Sequence, residues 1–401
     1  MIRTPSTPRP DWRERFDRIG FTFYDMESEG GRPYWQEEAA YGFTMAEIDA
    51  FERATKELFD RCMDAVEHLV RAGRFDEFGI PAPLHELVAR SWDEDDPTVY
   101  GRFDLAYDGH GAIKLLEFNA DTPTSLVESA AAQWQWLVET CGEEADQFNL
   151  LHELLVEQWE HIRTERLGLA AGARLHLASL HDTGDGELIV EDADTVGYMA
   201  ETARQAGFDT KQIFMEDIRF DVDAHRFVDP DGEPIRQIFK LYPWEWMAQE
   251  QFAGFLESTR DTTIWIEPIW KMLLSNKQLL VVLWELFPGH PNLLPAYATP
   301  GPLVLREHVA KPKLGREGSN VTMFDAAGAV TAANGGDYGE EGFVYQQRAD
   351  LGRIDGKTVV VGSWVVGETP AGIDVRESGG PITGDLAEFV PHFIIDPEET
   401  R

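Results

Sequence analysis

The stretch GRFDLAYDGHGAIKLLEFNADTPT, residues 101–124, has a strand-like half on each side of a turn signal. Asp108 to Gly111 form that signal, because an Asp-Gly pair between strand-like runs is typical of a β-hairpin. With these four residues as the loop, Tyr107 would face Ala112. The stretch therefore predicts an antiparallel hairpin that brings polar residues from its two halves together.

Polar side chains recur on one face of this predicted hairpin. Counting outward from the turn sets Asp104 opposite Leu115 and Arg102 opposite Glu117, and directly opposed residues point to the same side of a sheet. Asn119 follows on that side. An even loop length keeps this arrangement, whereas an odd loop would put the two sets of side chains on opposite faces.

An arginine and three oxygen-bearing side chains on one face are typical of a Mg-nucleotide site. Mg²⁺ prefers carboxylate and amide oxygens and usually takes one or two carboxylates beside waters and phosphates. Asp104, Glu117 and Asn119 fit that count. The alternative is a hairpin with a solvated polar face, and spacing alone leaves both interpretations open. The opposite, mostly apolar face would hold Lys114, Leu116 and Phe118.

The composition of the whole chain is that of a globular protein. Its 401 residues, 43% of them hydrophobic, suffice for a large core and for two or three lobes. No apolar run approaches the length of about 20 residues that a spanning helix needs, and residues 1–16 lack the apolar centre of a signal peptide. We expect a cytoplasmic protein without membrane contacts. Cys62 and Cys141 lack metal or disulfide spacing, and we expect both in the core.

The formal net charge of -37 argues against a nucleic-acid partner, since phosphate binding depends on clustered Lys and Arg. Such a negative field would favour the approach of a cationic small molecule. Solubility is the preferred explanation of the charge, because net charge does not say where the acidic residues lie. The oligomeric state stays open.

Two helix starts are marked by capping signals. Thr44 and Glu47 form a capping box before apolar residues at helical spacing, which predicts a helix over residues 45–72. Thr122 with Pro123 predicts a second helix start close to the proposed metal face. The apolar side of this second helix would carry Leu126, Val127, Ala130, Ala131, Trp134 and Leu137.

An α/β region follows. Residues 174–180, 193–206 and 211–214 predict a strand, a helix ended by Gly207 and a second strand, which together make a β-α-β unit. The stretch IRQIFKLYPWEW, residues 235–246, predicts a strand that runs into an aromatic-rich helix start.

Residues 311–320, KPKLGREGSN, form a basic glycine-containing loop between two predicted strands, 303–309 and 321–324. Glycines let backbone N–H groups approach phosphate oxygens, and Lys or Arg supplies charge. The order GxxxxGK[ST] and the strand-to-helix context of a Walker A loop are missing. An ordinary hairpin loop with surface lysines is the alternative. Lys277 is ordinary when taken singly, and Arg376, at the end of a predicted strand, is another candidate contact.

Four longer stretches resemble the glutathionylspermidine synthase family, in the form without an attached amidase domain. They are FNADTPTSLVESAAAQWQW (118–136), IFKLYPWEW (238–246), EPIWKMLLSNKQLLVVLWELFPGH (267–290) and KPKLGREGSN (311–320). The resemblance implies an α/β (α+β), ATP-grasp-type fold in which ATP lies between two lobes under a glycine-rich lid. It also implies a ligase that joins a carboxylic acid to an amine through an acyl phosphate, with a glutathione-like acid and a polyamine-like amine as the expected substrates. The expected lobes are a helical part over 1–98, a metal and substrate lobe over 99–260 and a nucleotide lobe over 261–401.

The resemblance also assigns roles to single residues. It implies that Asp104, Glu117 and Asn119 bind Mg²⁺ and that Arg102 stabilises the reacting phosphoryl group. The residues that it implies for ATP are Lys277, Lys311 and Arg376 at the phosphates, Arg316, Glu317 and Gly318 in the lid, and Gln346 or Gln347 near the adenine.

The amine pocket is less marked in the sequence. Glu191 and Asp192 lie where the family has acids for a polyamine, but acids at a helix N-terminus also stabilise the helix dipole. The surrounding stretch 181–195, HDTGDGELIVEDADT, departs from the family's compact acidic turn. A non-catalytic nucleotide-binding or regulatory protein on the same fold is the alternative function.

Overall fold

The computed structural model describes residues 1–28, 31–182, 188–384 and 387–395, so part of the stretch 181–195 lies outside the described residues. Its mixture of helices and sheets confirms the predicted α/β (α+β) class. Within the described residues, the α-helices are α1 (Trp12–Arg18), α2 (Met45–Ala72), α3 (His85–Asp93), α4 (Gln133–Cys141), α5 (Leu151–His161), α6 (Val190–Gln205), α7 (Trp244–Met247), α8 (Met272–Ser275) and α9 (Gln278–Leu286). The strands are β1 (Ile2–Pro5), β2 (Ala39–Phe43), β3 (Tyr100–Ala106), β4 (Lys114–Asn119), β5 (Arg174–Ser179), β6 (Asp209–Phe214), β7 (Arg219–Asp221), β8 (Arg226–Val228), β9 (Gln237–Leu241), β10 (Ile264–Ile266), β11 (Ala296–Tyr297), β12 (His308–Pro312), β13 (Thr322–Phe324), β14 (Val330–Ala333), β15 (Phe343–Gln347), β16 (Arg353–Ile354), β17 (Lys357–Val366), β18 (Thr369–Ser378), β19 (Glu388–Val390) and β20 (His392–Ile394).

A six-stranded antiparallel sheet joins the hairpin to the C-terminal part of the chain. Its strands run in the order β19-β18-β17-β3-β4, with β16 paired to β17. Asp104 on β3 lies opposite Gly362 on β17, and Asp374 on β18 lies on the other side of that glycine. A side chain at position 362 would overlap the Asp374 carboxylate, which explains the glycine. This sheet unites strands from distant parts of the chain, and the expected lobe boundaries stay a prediction.

The β3–β4 hairpin forms as predicted, but the predicted register is wrong by two residues. Asp104 lies opposite Glu117, and Arg102 lies opposite Asn119. Leu115, the expected partner of Asp104, instead pairs with Leu105, which is one residue closer to the loop. All four polar side chains nevertheless line one cleft, because a shift of two residues keeps side chains on the same face.

A β-bulge keeps the polar side chains of β3 and β4 on one face of the hairpin. The loop spans residues 107–113, an odd number that would have put the two sets of polar side chains on opposite sides. A register shift after Leu115 leaves Leu116 as the extra residue of a bulge, and this one residue restores the parity. The Leu115 N–H donates to the carbonyl oxygen of Asn292 at 2.8 Å, so the bulge is tied to the chain outside the hairpin.

A four-stranded parallel sheet, in the order β10-β9-β5-β6, contains the predicted β-α-β unit. Its helix α6 begins at Val190, three residues before the predicted start, and Gly207 follows it with a φ of 92°. The strand β9 runs into α7, as residues 235–246 predicted. The residues of α7 therefore lie at the carboxyl edge of this parallel sheet, where α/β folds commonly bind ligands.

A five-stranded sheet, in the order β11-β15-β12-β13-β14, carries the glycine-containing loop between β12 and β13. The predicted strand over residues 303–309 is wrong in position, since β12 spans His308–Pro312 and a 3-10 turn covers Gly301–Leu303. Pro302 occupies one of the first two positions of this turn, where its fixed φ suits a helical turn, so the chain enters the predicted strand region in a turn. Lys311 accordingly lies on a strand and not on the loop.

The predicted helix start at Thr122 is also wrong. Residues 123–125 are non-helical, Ser125 has a φ of 67°, and the helix begins at Leu126. A π-helical turn over Glu128–Ala132 then leads into α4. Trp134, expected on the apolar side, is exposed, because the π turn rotates the face that packs against the protein.

Two further sequence predictions have definite outcomes. Helix α2 spans residues 45–72 with Thr44 and Glu47 in a complete capping box, as predicted. Cys62 is buried in its apolar stripe, whereas Cys141 at the end of α4 is exposed, so its expected core position is wrong. Across the described residues, no helix is both long and apolar enough to span a membrane.

Candidate active site

One large cleft lies between the six-stranded sheet and the five-stranded sheet. Its empty volume, including the open mouth, is about 1410 Å³. It brings together residues that are far apart in the sequence, and Asp192 alone of the predicted site residues does not line it. The predicted residues in its wall are Arg102, Asp104, Glu117, Asn119, Glu191, Lys277, Lys311, Arg316, Glu317, Gly318, Gln346, Gln347 and Arg376.

Asp104 lies between two arginines on the floor of the cleft. Arg102 Nε donates to Asp104 Oδ1 at 2.9 Å, and Arg376 Nη2 lies 2.6 Å from the same oxygen. Burial opposes ionisation of this carboxyl group, but the two guanidiniums outweigh it and hold its pKa below the ordinary value. Asp104 is therefore an anion at neutral pH, as a metal ligand must be. Arg102 is fixed further by a 2.6 Å bond from Nη1 to the Thr124 carbonyl oxygen, which explains why residues 123–125 stay out of the helix.

Glu117 faces a different cation. Its Oε2 lies 2.9 Å from Lys277 Nζ, which also donates to the Gly315 carbonyl oxygen. Asn119 Nδ2 donates weakly to Glu117 Oε1 at 3.4 Å. Burial works against the charged form, but Lys277 and Lys311 keep the pKa of Glu117 below its ordinary value. The two carboxylates of the hairpin thus lie side by side, each compensated by its own basic residues.

Lys311 is buried beneath the bulge. Its Nζ donates to the Leu116 carbonyl oxygen at 3.1 Å and to Gln346 Oε1 at 2.9 Å. Gln346 Nε2 in turn donates to the Leu115 carbonyl oxygen at 2.9 Å. Burial lowers the pKa of Lys311 to about 8, although Glu117 opposes the shift. Gln346 is thereby committed to Lys311 and the bulge, while Gln347 follows it on β15 and also lines the cleft.

The hairpin face fits a magnesium ion. Asp104, Glu117 and Asn119 offer two ionised carboxylates and one amide oxygen on adjacent positions of one face. That donor set leaves coordination positions for waters and phosphate oxygens, which is how Mg²⁺ is usually held. The surrounding cations, Arg102, Arg376, Lys277 and Lys311, would contact the phosphates themselves.

The loop between β12 and β13 closes over the cleft from one side. Gly318 has a φ of 66°, and a Cβ there would lie 2.6 Å from the Thr383 carbonyl oxygen, so this loop packs tightly on the segment 381–384. Arg316, predicted to contact nucleotide, reaches across to Glu245 and Thr122. Glu317 and Gly318 line the cleft beside it.

One end of the cleft holds the predicted Glu191 together with Tyr34 and Glu128, which the sequence analysis missed. Tyr34 donates a 2.7 Å hydrogen bond to Glu128 Oε1, and Tyr34, Ser125 and Glu191 line the cleft wall there. Glu128 is fully buried; burial, and then the nearby Glu191 carboxylate, raise its pKa to about 8. Tyr34 has no local motif that could have marked it. Glu128 lies within the stretch 118–136, but its helical spacing pointed to an ordinary helix residue.

Glu191 and Asp192 have separate surroundings. Glu191 lies in the acidic end of the cleft, whereas Asp192 is close enough to Arg316 and Glu317 for their charges to influence its ionisation. Burial raises the pKa of Asp192 to about 7, with Arg316 opposing the shift. The two acids therefore do not form one pocket.

A group of possible metal ligands lies outside the cleft. His176, Asp229 and Glu233 approach one another on the parallel sheet and its adjoining turn. The Lys211 ammonium lies 2.5 Å from Asp229 and 3.4 Å from Glu233, so a cation of the chain already balances these acids. This group is an internal ion-pair cluster.

Comparisons with known proteins find similarity over nearly the whole chain. A family profile described as "Glutathionylspermidine synthase preATP-grasp" matches residues 3–395. A Haemophilus influenzae protein named "Putative acid--amine ligase" is 40% identical over 404 residues, which cover 98% of this chain and 100% of that protein. A trypanothione synthetase of Crithidia fasciculata is 29% identical over 82% of this chain and 52% of its own length.

Two more distant proteins extend the comparison. A bifunctional glutathionylspermidine synthetase/amidase of Escherichia coli is 25% identical over 88% of this chain and 59% of its own length. The chain thus spans little more than half of the Crithidia and Escherichia relatives. Among solved structures, a glutathione synthetase-like effector of Globodera pallida has a TM-score of 0.56 at 10% identity, covering 97% of this chain and 100% of that one. This likeness, together with the family profile, confirms the predicted ATP-grasp-type fold.

Proposed function

This chain belongs to the glutathionylspermidine synthase family of ATP-dependent ligases, and we propose that it joins a carboxylic acid to an amine in its cleft. ATP would be converted to ADP and phosphate as the amide bond forms. The names of the relatives suggest a glutathione-like acid and a polyamine-like amine.

The observation that carries the proposal is the pairing of two ionised carboxylates with basic residues on one cleft floor. Asp104 and Glu117 are opposed in the hairpin, and arginines and lysines compensate them. A polyphosphate needs this combination, because carboxylates hold Mg²⁺ while basic side chains bind phosphate oxygens. A solvated hairpin face would need no such enclosure.

Basic residues of the cleft and the loop between β12 and β13 would each have a role in phosphoryl transfer. Arg102 and Arg376 flank Asp104 and would stabilise negative charge on the phosphoryl group during transfer. Lys277 and Lys311 would bind phosphate oxygens on the Glu117 side. Bound Mg²⁺ would neutralise charge on the phosphates and orient them. The loop that contains Gly318 would exclude water and so protect an acyl phosphate from hydrolysis.

The acidic end of the cleft supports an amine as second substrate. Glu191 and Tyr34 line the cleft there, and the buried Glu128 accepts a hydrogen bond from Tyr34. A carboxylate in a partly enclosed pocket, as Glu191 is, would favour an ammonium group. The formal net charge of -37 would also steer a polycationic amine towards the protein.

ADP release from ATP and Mg²⁺ tests the proposed function. The purified protein would receive carboxylates and amines singly and in pairs, beginning with glutathione and spermidine. We expect release to rise only with a matched pair and to be accompanied by a new amide in the mass spectrum. ATP binding without release for any pair would instead support a non-catalytic nucleotide-binding protein.

A further inference from the structure

Arg316 crosses the cleft and places its guanidinium in a small pocket on the far side. Nη1 donates to Thr122 Oγ1 at 3.0 Å, and Nη2 donates to Glu245 Oε1 at 2.8 Å. The guanidinium carbon lies 5.5 Å from the ring centroid of Trp246. We call Thr122, Glu245 and Trp246 the Arg316 socket.

The socket is built on fixed elements and not on Arg316. Glu245 and Trp246 belong to α7, which follows β9 at the carboxyl edge of the parallel sheet. The start of α7 is held by a 2.9 Å bond from the Trp244 N–H to Asp121 Oδ2, and Asp121 Oδ1 pairs with Lys240 Nζ at 2.7 Å. Asp121 and Lys240 are buried, and neither bond of this anchor involves Arg316.

The chemistry of the socket is that of a cation site. A carboxylate, an indole face and a hydroxyl oxygen all attract positive charge, and Arg316 satisfies them as a guanidinium. Asp121 and Asp192 are further acidic residues close enough to Arg316 to interact with it electrostatically. Trp246 is 37% exposed and the Arg316 side chain is 28% exposed, so the socket borders on solvent at these two residues.

We propose that the Arg316 socket binds a cationic group of the amine substrate and that Arg316 is a built-in competitor for it. The substrate assignment rests on the proposed ligase function. A substrate ammonium that binds Glu245 and Trp246 would displace Arg316 and release its loop from α7. Amine binding and lid position would then be linked, because both cations require the same carboxylate.

Isothermal titration with spermidine, without ATP and at constant ionic strength, tests the competition. Arg316→Gln should tighten spermidine binding about tenfold, because the socket loses its internal occupant. Glu245→Gln should weaken binding about tenfold, and the double variant should lose most of the gain from Arg316→Gln. Glu52→Gln on the exposed side of α2 removes the same charge elsewhere and should leave binding unchanged.

Opposite signs for the two single variants are the expected signature. Unchanged or weaker binding in Arg316→Gln would overturn the proposal, as would unchanged binding in Glu245→Gln. Thermal unfolding checks that each variant folds, and Arg316→Lys, which keeps the charge but loses the two-nitrogen contact, should tighten binding less than Arg316→Gln. Ligase activity with another amine, without competition between spermidine and Arg316, would contradict the proposed socket but agree with the proposed function. Competition without ADP release for any pair of substrates would support the socket and contradict the proposed ligase function.

Discussion

Lys311 donates a hydrogen bond at 3.1 Å to the carbonyl oxygen of Leu116, the extra residue of the hairpin bulge. The bulge decides that Asp104 and Glu117 share one face, so a basic side chain proposed to bind phosphate also supports the hairpin that carries the proposed metal ligands. Gln346 completes this arrangement by bonding to both Lys311 and the Leu115 carbonyl oxygen. Metal and phosphate positions are therefore linked through a single buried network.

Replacement of Lys311 tests that network. We expect Lys311→Met to lower ATP turnover by about 100-fold or more, because both a phosphate-binding charge and a bulge contact are lost. Lys114→Met is the matched control, since Lys114 lies on β4 of the same hairpin but donates to the Pro291 carbonyl oxygen and does not line the cleft. Steady-state ADP release measures both variants. Equal activity in the two would show that Lys311 has no role at the phosphates.

The two neighbouring glutamines should differ in their effects. Gln346→Leu removes the partners of Lys311 and of the bulge, so we expect ATP binding to weaken about tenfold and thermal stability to fall. Gln347→Leu leaves that network intact and should change neither stability nor the bulge. Nucleotide titration with thermal unfolding distinguishes the two. A larger loss of stability in Gln347→Leu would contradict the bracing role of Gln346.

Isosteric replacement of the hairpin carboxylates tests the metal site. Asp104→Asn and Glu117→Gln should each reduce ATP turnover by about 100-fold or more, because an amide cannot supply the negative charge that Mg²⁺ requires. Asp223→Asn, at an exposed position, should retain full turnover. Measuring the Mg²⁺ dependence of ADP release adds a second criterion: a partly active variant should need more Mg²⁺ for half-maximal rate. An unchanged requirement would remove that carboxylate from the metal site.

The parts of the fold that the sequence predicted correctly depend on local signals. The capping box of α2 arises from contacts within a few residues. The strands and helix of the β-α-β unit are each marked by a local residue pattern, although the pairing of β5 with β6 joins residues 35 positions apart. The bulge at Leu116 is different, because its backbone groups bond to the Asn292 carbonyl oxygen and to the side chains of Lys311 and Gln346. These three residues are far away in the sequence. The predicted hairpin parity was right only because an odd loop and a bulge compensate each other.

The residues of the candidate site also divide into those that the sequence predicted and those that only the tertiary structure brings together. Family resemblance singled out residues that the cleft brings together, including Arg102 and Arg376, which both contact Asp104. Tyr34 and Glu128 were missed because their association is purely tertiary and a π turn alters the helix face. Asp192 was grouped with Glu191 because the two are adjacent, but successive helix residues point in different directions.

Glu128 should give the protein a measurable pH dependence of stability. Its folded-state pKa of about 8 is raised above the ordinary value, so the folded state binds this proton more tightly than the unfolded state does. Its contribution is fully present below the ordinary glutamate pKa and is lost as the pH rises through about 8. Glu128→Gln has no proton to lose at this position. We therefore expect the free energy of unfolding of the variant, relative to wild type, to rise by at least about 2 kcal/mol between acidic pH and pH 8. Urea unfolding at several pH values measures the gain, and parallel curves for the two proteins would contradict it.

Two glycines make a matched pair for packing. Gly362→Ala would push a methyl group into the Asp374 carboxylate, which also accepts a 2.7 Å bond from Trp364 Nε1, so we expect a loss of about 1–3 kcal/mol. Gly197→Ala has open space around the new methyl group and lies inside α6, so helix propensity predicts a gain of about 0.5–1 kcal/mol. Because Asp374 lies beside Arg376, the first variant should also weaken ATP binding, while the second should not. Thermal unfolding with and without ATP measures both effects. A stable, fully ATP-binding Gly362→Ala protein would show that the close approach of β17 to Asp374 does not support the floor of the cleft.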